Sequence, residues 1–251
     1  RDDPYAQNGL GLACRLSGQP ERAMSLFTQS LVGLRARRDR RAEASALSNI
    51  AAVHLLDWND TGEARRNLEL AAAAQEELGD LHGLGISWNN LGYCSFRDGD
   101  WNTAEAAYAR AIELIQSTGD DAMESRGWLN LALVREGRGD NSGALSLCER
   151  AKGVAEATGD RVNQERSNAA MGRISAALRQ FARAEAHYEE ALRCIEATRG
   201  ELRLDEMRDS YFAVAQDPFV DYLSLLAERG NAARAISVAE RAKAQTFLRL
   251  L

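Results

Sequence analysis

A repeat of about forty residues constrains this chain more than any other feature of its sequence. A small residue that follows Leu, Ile or Met recurs five times, at intervals of 40, 41, 40 and 40 residues: Gly11, Ala51, Gly92, Ala132 and Gly172. Such a period is the signature of a repeat architecture, in which stacked units bury a continuous core. The sequence therefore predicts an array of five similar units.

Three further positions recur in each unit. An alanine follows the small residue after twelve positions, or after thirteen in the second unit: Ala23, Ala64, Ala104, Ala144 and Ala184. Four positions later the residues are Phe27, Leu68, Tyr108, Cys148 and Tyr188, and three beyond those are Ser30, Ala71, Ala111, Ala151 and Ala191. The interval of 41 is interpreted as one extra loop residue in the second unit.

Each unit is predicted to be a pair of antiparallel helices. In the third unit, apolar residues recur at helical spacing over 86–96, and Gly99 ends that helix. The second helix begins near Trp101 and ends at Gly119, and Asp120 is placed to cap the next helix. The small residues are expected where the two helices of a pair cross closely.

The spacing Leu91-Gly92-x6-Gly99-x4-Ala104-x3-Tyr108-x2-Ala111 resembles the tetratricopeptide repeat, in a long-helix variant. The resemblance covers about residues 1–200 and implies five helix pairs in an all-α, right-handed superhelical solenoid. HEAT and armadillo repeats have a similar period but a different spacing of small and aromatic residues, and they stay a minor alternative.

Composition excludes several other classes of protein. The chain is 45% hydrophobic and 27% charged with three prolines, which is typical of a helix-rich globular protein. A net charge of −6 argues against nucleic acid as a partner, and no apolar run approaches the about 20 residues of a membrane span. The four widely spaced cysteines predict neither disulfides nor a metal site, so we expect a cytoplasmic protein without cofactors.

After residue 200 the register changes, and residues 201–251 are predicted to form irregular terminal helices. About eleven residues are inserted within 201–216, and a helix restarts at Asp217-Pro218. The chain begins without Met and ends on an apolar helix, so we expect a fragment of a longer protein with a further C-terminal domain.

The terminal segment resembles the junction at which bacterial tetratricopeptide repeats lead into a CHAT domain, a caspase-like cysteine peptidase. The resemblance rests on three stretches: Arg208-Asp209-Ser210-Tyr211-Phe212, Tyr222-Leu223-Ser224-Leu225-Leu226 and 239–248. It implies a scaffold that senses a partner or regulates that peptidase, whose His and Cys would lie beyond Leu251. The alternative is a ligand- or peptide-sensing repeat domain of a bacterial transcription activator.

No catalytic residue is predicted within the chain itself. His54 and Cys94 occupy neighbouring positions of successive first helices, but both are packing positions without a third orienting group. Asp57, Asn59 and Asp60 lack the later glycine and glutamate of a calcium loop, so helix capping is the preferred interpretation.

The inner face of the first helices is the predicted binding site. Positions that share this face carry polar or aromatic residues in the second to fifth units: Asn49, Asn90, Tyr93, Arg97, Arg126, Asn130, Arg166 and Arg173. Amides can pair with the backbone of an extended peptide, and arginines attract an acidic peptide or a terminal carboxylate. Alternatively, the asparagines hold neighbouring repeats in register and the arginines pair with acids on second helices.

Overall fold

The computed structural model describes residues 3–201 and 217–247, and within these ranges it contains twelve α-helices, one π-helical turn and no strand. The fold is an all-α helical-repeat solenoid, as the repeat predicts. The chain divides into two compact units, 1–123 and 124–251, which we call the N-terminal and C-terminal units.

The N-terminal unit holds three helix pairs. Its helices are α1 Pro4–Leu16, α2 Pro20–Arg37, α3 Arg40–Ala52, α4 Thr61–Glu77, α5 Leu81–Arg97 and α6 Trp101–Gln116. Helix α7, Asp121–Gly137, begins at the end of this unit and belongs mostly to the next.

The C-terminal unit continues α7 and adds five helices. These are α8 Asn141–Thr158, α9 Arg161–Ala177, α10 Phe181–Glu201, α11 Asp217–Glu228 and α12 Ala232–Phe247. The insertion predicted within 201–216 lies almost entirely outside the described residues. Gly230 separates α11 from α12 with a φ of +68°, the left-handed backbone conformation that glycine adopts readily at the end of a helix.

Aspartates cap the starts of seven consecutive helices, α3 to α9. Each aspartate accepts a hydrogen bond from the backbone N–H three residues further on: Asp39, Asp60, Asp80, Asp100, Asp120, Asp140 and Asp160. The bond satisfies one of the backbone donors that a helix leaves unpaired at its start. The cap predicted for Asp120 is confirmed.

The recurring small residue meets the recurring large residue of the same pair. A Cβ added at Gly92 would lie 2.8 Å from the Tyr108 ring, and one added at Gly172 would lie 2.9 Å from the Tyr188 ring. Carbon atoms in contact prefer about 3.5–4.0 Å, so a side chain does not fit at either position. The two helices of a pair therefore cross closely at the glycine, as the repeat predicts.

In the second repeat, the extra residue lies in a different place from the one that the sequence predicts. The additional residue does not lengthen the loop but widens the end of the first helix into a π-helical turn, Val53–Asp57. The Trp58 N–H donates to the Val53 carbonyl at 3.1 Å, which closes the wider ring. Asp57 is consequently helical rather than part of the turn, and it pairs with Arg15 at 2.7 Å.

The cores of the two units are built from the repeat positions. In the N-terminal unit one core cluster packs Phe27 and Leu34 of α2 against Leu47 of α3 and Val53 of the π-helical turn. In the C-terminal unit, Tyr188 of α10 stacks on Tyr222 of α11 with ring centroids 5.4 Å apart. The terminal pair thus joins the array through the large position of the fifth repeat. Among the described helices, none combines the length and apolar character needed to cross a membrane.

Candidate functional site

Four of the residues predicted for the inner face come together around one cavity of the C-terminal unit. We call this space of about 330 Å³ the arginine cavity. Its polar lining residues are Arg126, Asn130, Glu165, Arg166, Arg173, Asp217 and Asp221, and its apolar ones include Leu129, Leu133 and Pro218. Helices α7 and α9 supply the predicted residues because positions four and three apart share one side of a helix.

The arginines of the cavity differ in how they are held. Arg173 forms a bidentate ion pair with Glu136, at 2.9 and 2.8 Å, and this pair raises the pKa of Arg173. Its partner stands on α7, a first helix, and not on a second helix. Arg166 is exposed and makes no hydrogen bond or ion pair with any other described residue.

Arg126 and Asn130 form the α7 side of the cavity. Both side chains are half-buried, and both interact with other residues of the protein. Partial burial restricts their motion, so they can present a donor to a ligand with a smaller loss of side-chain entropy than a fully exposed side chain.

Helix α11 closes the cavity with two acids that the repeat does not predict. Asp217 and Asp221 are one turn apart on α11, and Glu165 on α9 adds a buried carboxyl group. Burial raises the pKa of Asp221, an effect that Arg173 opposes and Asp217 reinforces. These acids were missed because α11 follows the insertion, where the spacing of the repeat no longer applies.

The asparagines of the N-terminal unit have partners inside the protein. The Asn49 side chain donates to the Asn8 side chain of α1 at 3.1 Å, so it links two neighbouring first helices. Asn90 accepts a hydrogen bond from Asn89 at 3.4 Å. The contact of Asn49 is the one expected if this asparagine holds adjacent repeats in register. Asn130 belongs to the other unit.

Tyr93 and Arg97 form a separate cluster at the end of α5. The Arg97 guanidinium donates to the Tyr93 hydroxyl at 3.1 Å, lies 5.8 Å from the centroid of that ring, and also donates to Asn59. Asn59 has a φ of +55° in the loop that follows the π-helical turn. The guanidinium is exposed but already engaged, which leaves it less available to a ligand than Arg166.

The thiols and histidines do not form a nucleophilic site among the described residues. Burial raises the pKa of Cys94 to about 11 and that of Cys148 to about 12, which favours the unreactive thiol at neutral pH. His54 lies beside Asp60, with 3.3 Å between Nδ1 and the carboxylate, and makes no hydrogen bond with Cys94. In the described ranges, no group of three His, Cys, Asp or Glu side chains could hold a metal ion.

Comparison with protein families gives one match, to the tetratricopeptide repeat, over residues 8–42. This segment contains the first small residue of the repeat, Gly11, and the helix that follows it. No curated protein sequence matches the chain.

Solved structures resemble the chain over almost its whole length. A signal-transduction ATPase with numerous domains and a tetratricopeptide repeat sensor, from Pyrococcus horikoshii, is 16% identical with a TM-score of 0.70. That match covers 98% of this chain but 39% of the ATPase, so the chain spans about two fifths of that protein.

Two further structures are similar. Aspartyl phosphate phosphatase F from Bacillus subtilis is 14% identical with a TM-score of 0.73, covering 99% of this chain and 70% of the phosphatase. A Rap protein complexed with competence and sporulation factor is 14% identical with a TM-score of 0.68, covering 97% of this chain and 74% of the other. At these identities the likeness establishes the fold alone.

Proposed function

We propose that this protein is a non-enzymatic scaffold that binds a peptide or a protein segment on the inner face of its first helices. The observation that carries the proposal is the arginine cavity, where Arg126, Asn130, Arg166 and Arg173 meet. A concave pocket with a few convergent polar groups is the usual form of a ligand site. One structure of similar fold, the Rap protein, is complexed with a factor, which supports the same use of this fold.

The ligand is proposed to offer a carboxylate. Arg166 projects an exposed guanidinium that no described residue pairs, and guanidinium groups bind carboxylates through two parallel hydrogen bonds. Asn130 adds an amide that can pair with peptide backbone. An acidic side chain or the carboxyl terminus of a partner supplies that chemistry.

The experiment is selection from a pool of random hexapeptides with free carboxyl termini, retained on the immobilised protein and identified by mass spectrometry. We expect peptides rich in Asp and Glu to be retained by the wild-type protein. The double variant Arg126→Gln, Arg166→Gln should lose this enrichment, because hydrogen bonds to charged groups contribute about 1.5–3 kcal/mol each. Unchanged enrichment in a folded double variant would contradict the proposal.

The double variant Arg179→Gln, Lys243→Gln provides the matched control, because it also removes two positive charges from the C-terminal unit. Arg179 and Lys243 are exposed, and neither lines the arginine cavity. This variant should retain the same peptides as the wild-type protein.

The finer proposal is that the scaffold regulates a C-terminal CHAT peptidase. Its support is the resemblance of residues 208–248 to a repeat-to-CHAT junction, of which the 222–226 stretch lies on α11 and part of the last stretch on α12. The codons after Leu251 test it directly. A His and Cys pair within alternating strands and helices favours the peptidase, whereas a helix-turn-helix favours the activator alternative.

A further inference from the structure

The charges that line the arginine cavity are arranged in two groups of opposite sign. Arg126, Arg166 and Arg173 stand on α7 and α9, where the buried Glu165 is the one acid in the lining, and Asp217 and Asp221 stand on α11. A ligand that carries only negative charge would satisfy the arginines but would also meet the carboxylates of α11. Like charges brought together at a binding surface weaken the complex.

The α11 carboxylates are not neutralised by the protein residues around them. Asp221 is half-buried, and neither it nor Asp217 forms a hydrogen bond or an ion pair within the described ranges. Arg173 is the cation whose charge acts on Asp221, but its guanidinium is already committed to Glu136 through two hydrogen bonds. A partly desolvated carboxylate such as that of Asp221 is stabilised by an incoming cation.

Arg166, on the α9 side of the cavity, also lacks a partner among the described residues. Arg166 has no hydrogen bond or ion pair with another described residue, so the cavity presents an unpaired cation on α9 and unpaired anions on α11. The volume of about 330 Å³ lies near the lower end of the about 300–1,000 Å³ typical of ligand pockets. That space suits one or two residues of a peptide rather than a long segment.

We infer that the arginine cavity recognises a dipolar peptide element, in which a carboxylate meets Arg126 and Arg166 while a neighbouring ammonium or guanidinium group meets Asp217 and Asp221. This inference rests on the proposed function and narrows its ligand class from acidic peptides to peptides that carry both charges. The α11 acids then set specificity, because they reject a polyanion and attract a Lys or Arg side chain or a free amino terminus.

The test repeats the peptide selection with amino-terminally acetylated hexapeptides, whose only cations are Lys and Arg side chains, on the wild-type protein and on the variant Asp217→Asn, Asp221→Asn. Wild-type protein should enrich peptides that contain Lys or Arg together with Asp or Glu. The variant should keep the acidic enrichment and lose the basic one. The matched control is the double variant Glu228→Gln, Glu240→Gln, which removes two exposed carboxylates outside the cavity and should behave as the wild type.

A double-mutant cycle then measures the contact between the Lys side chain of the peptide and the two aspartates of α11. One retained peptide is synthesised with its Lys kept or replaced by norleucine, and both forms are titrated by calorimetry. The replacement should weaken binding to the wild-type protein about tenfold and binding to the aspartate variant less than about twofold.

The outcomes separate the two proposals. Acidic enrichment without basic enrichment, or the same norleucine effect in both proteins, overturns the dipolar ligand while the scaffold proposal stands. If no peptide is retained in an arginine-dependent manner, the scaffold proposal fails and the dipolar ligand fails with it.

Discussion

Small and large residues of each helix pair compensate for one another in size. Where the small residue is glycine, its partner is aromatic: Gly11 with Phe27, Gly92 with Tyr108, and Gly172 with Tyr188. Where the small residue is alanine, its core neighbour is smaller: Ala51 with Leu68, and Ala132 with Cys148. Close packing explains this, because the volume available between two crossing helices is fixed.

Size compensation predicts the effect of adding a methyl group at Gly92. Gly92→Ala should lower the free energy of unfolding by about 1–3 kcal/mol through overpacking against Tyr108, although alanine is the better helix former. In a Tyr108→Leu background the same change should be neutral or stabilising by up to about 1 kcal/mol. Urea unfolding of the four proteins, followed by circular dichroism, measures the coupling.

Gly153→Ala is the control for this cycle. Gly153 lies within α8, and a Cβ added there meets nothing within 4 Å. Alanine should therefore stabilise the protein by about 0.5–1 kcal/mol. Equal effects of Gly92→Ala in the wild-type and Tyr108→Leu backgrounds would mean that the aromatic ring does not set the crossing.

Sequence position alone could locate only part of the candidate site. The spacing of the repeat places Arg126, Asn130, Arg166 and Arg173 on one face, and these residues line one cavity. It does not reveal that Arg173 is paired with Glu136, since a side-chain contact depends on rotamers and not on spacing. The role of the asparagines and arginines as ligand contacts stays a prediction.

Among the helices, the capping aspartates give the fold a dependence on pH. Backbone hydrogen bonds from helix starts lower the pKa of Asp39 and Asp60, and bonds from Thr103 lower the pKa of Asp100. A carboxyl whose pKa is lower in the folded protein stabilises it above the ordinary aspartate value of 3.8. That contribution is lost as the pH falls from this value through the lowered one.

Replacing Asp39, Asp60 and Asp100 by asparagine should make the free energy of unfolding less dependent on pH at acidic pH. Asparagine keeps a capping oxygen but does not titrate, so the variant should lose less stability than the wild type between about pH 5 and pH 2. Urea midpoints measured across this range test the prediction. An unchanged slope in the variant would assign the acid sensitivity to other carboxylates.

A control variant carries glutamine at three exposed glutamates without capping bonds: Glu76, Glu228 and Glu240. It removes the same number of carboxylates as the cap variant, so it separates the loss of caps from the change in net charge. Its free energy of unfolding at acidic pH should follow that of the wild type.

Helix boundaries were the most predictable part of the fold, and the π-helical turn was the least. Glycine and aspartate mark the helix ends directly because each supplies a specific backbone conformation or hydrogen bond. No glycine or aspartate indicates where the extra residue of the second repeat lies. Whether it enters the loop or widens Val53–Asp57 depends on tertiary contacts, such as the pair between Arg15 and Asp57.

At the scale of the whole molecule, net charge is a poor guide to the site. The chain carries a formal charge of −6, yet three arginines line one cavity of the C-terminal unit. The sequence predicts irregular terminal helices after residue 200, and one of them, α11, provides a wall of that cavity. The sequence does not indicate this, because the inserted residues break the spacing of the repeat. The position of α11 against the other helices therefore cannot be counted from that spacing.

A ligand site in the arginine cavity is tested most directly by the nuclear magnetic resonance signals of the arginine Nε–H groups, recorded while a retained peptide is added. Arg166→Lys assigns the signal of Arg166, and Arg22, exposed on α2 of the N-terminal unit, serves as the reference. We expect the Arg166 signal to shift with the dissociation constant found by calorimetry while the Arg22 signal stays in place. A titration in which Arg166 does not move, although the peptide binds, would contradict a ligand site in the arginine cavity.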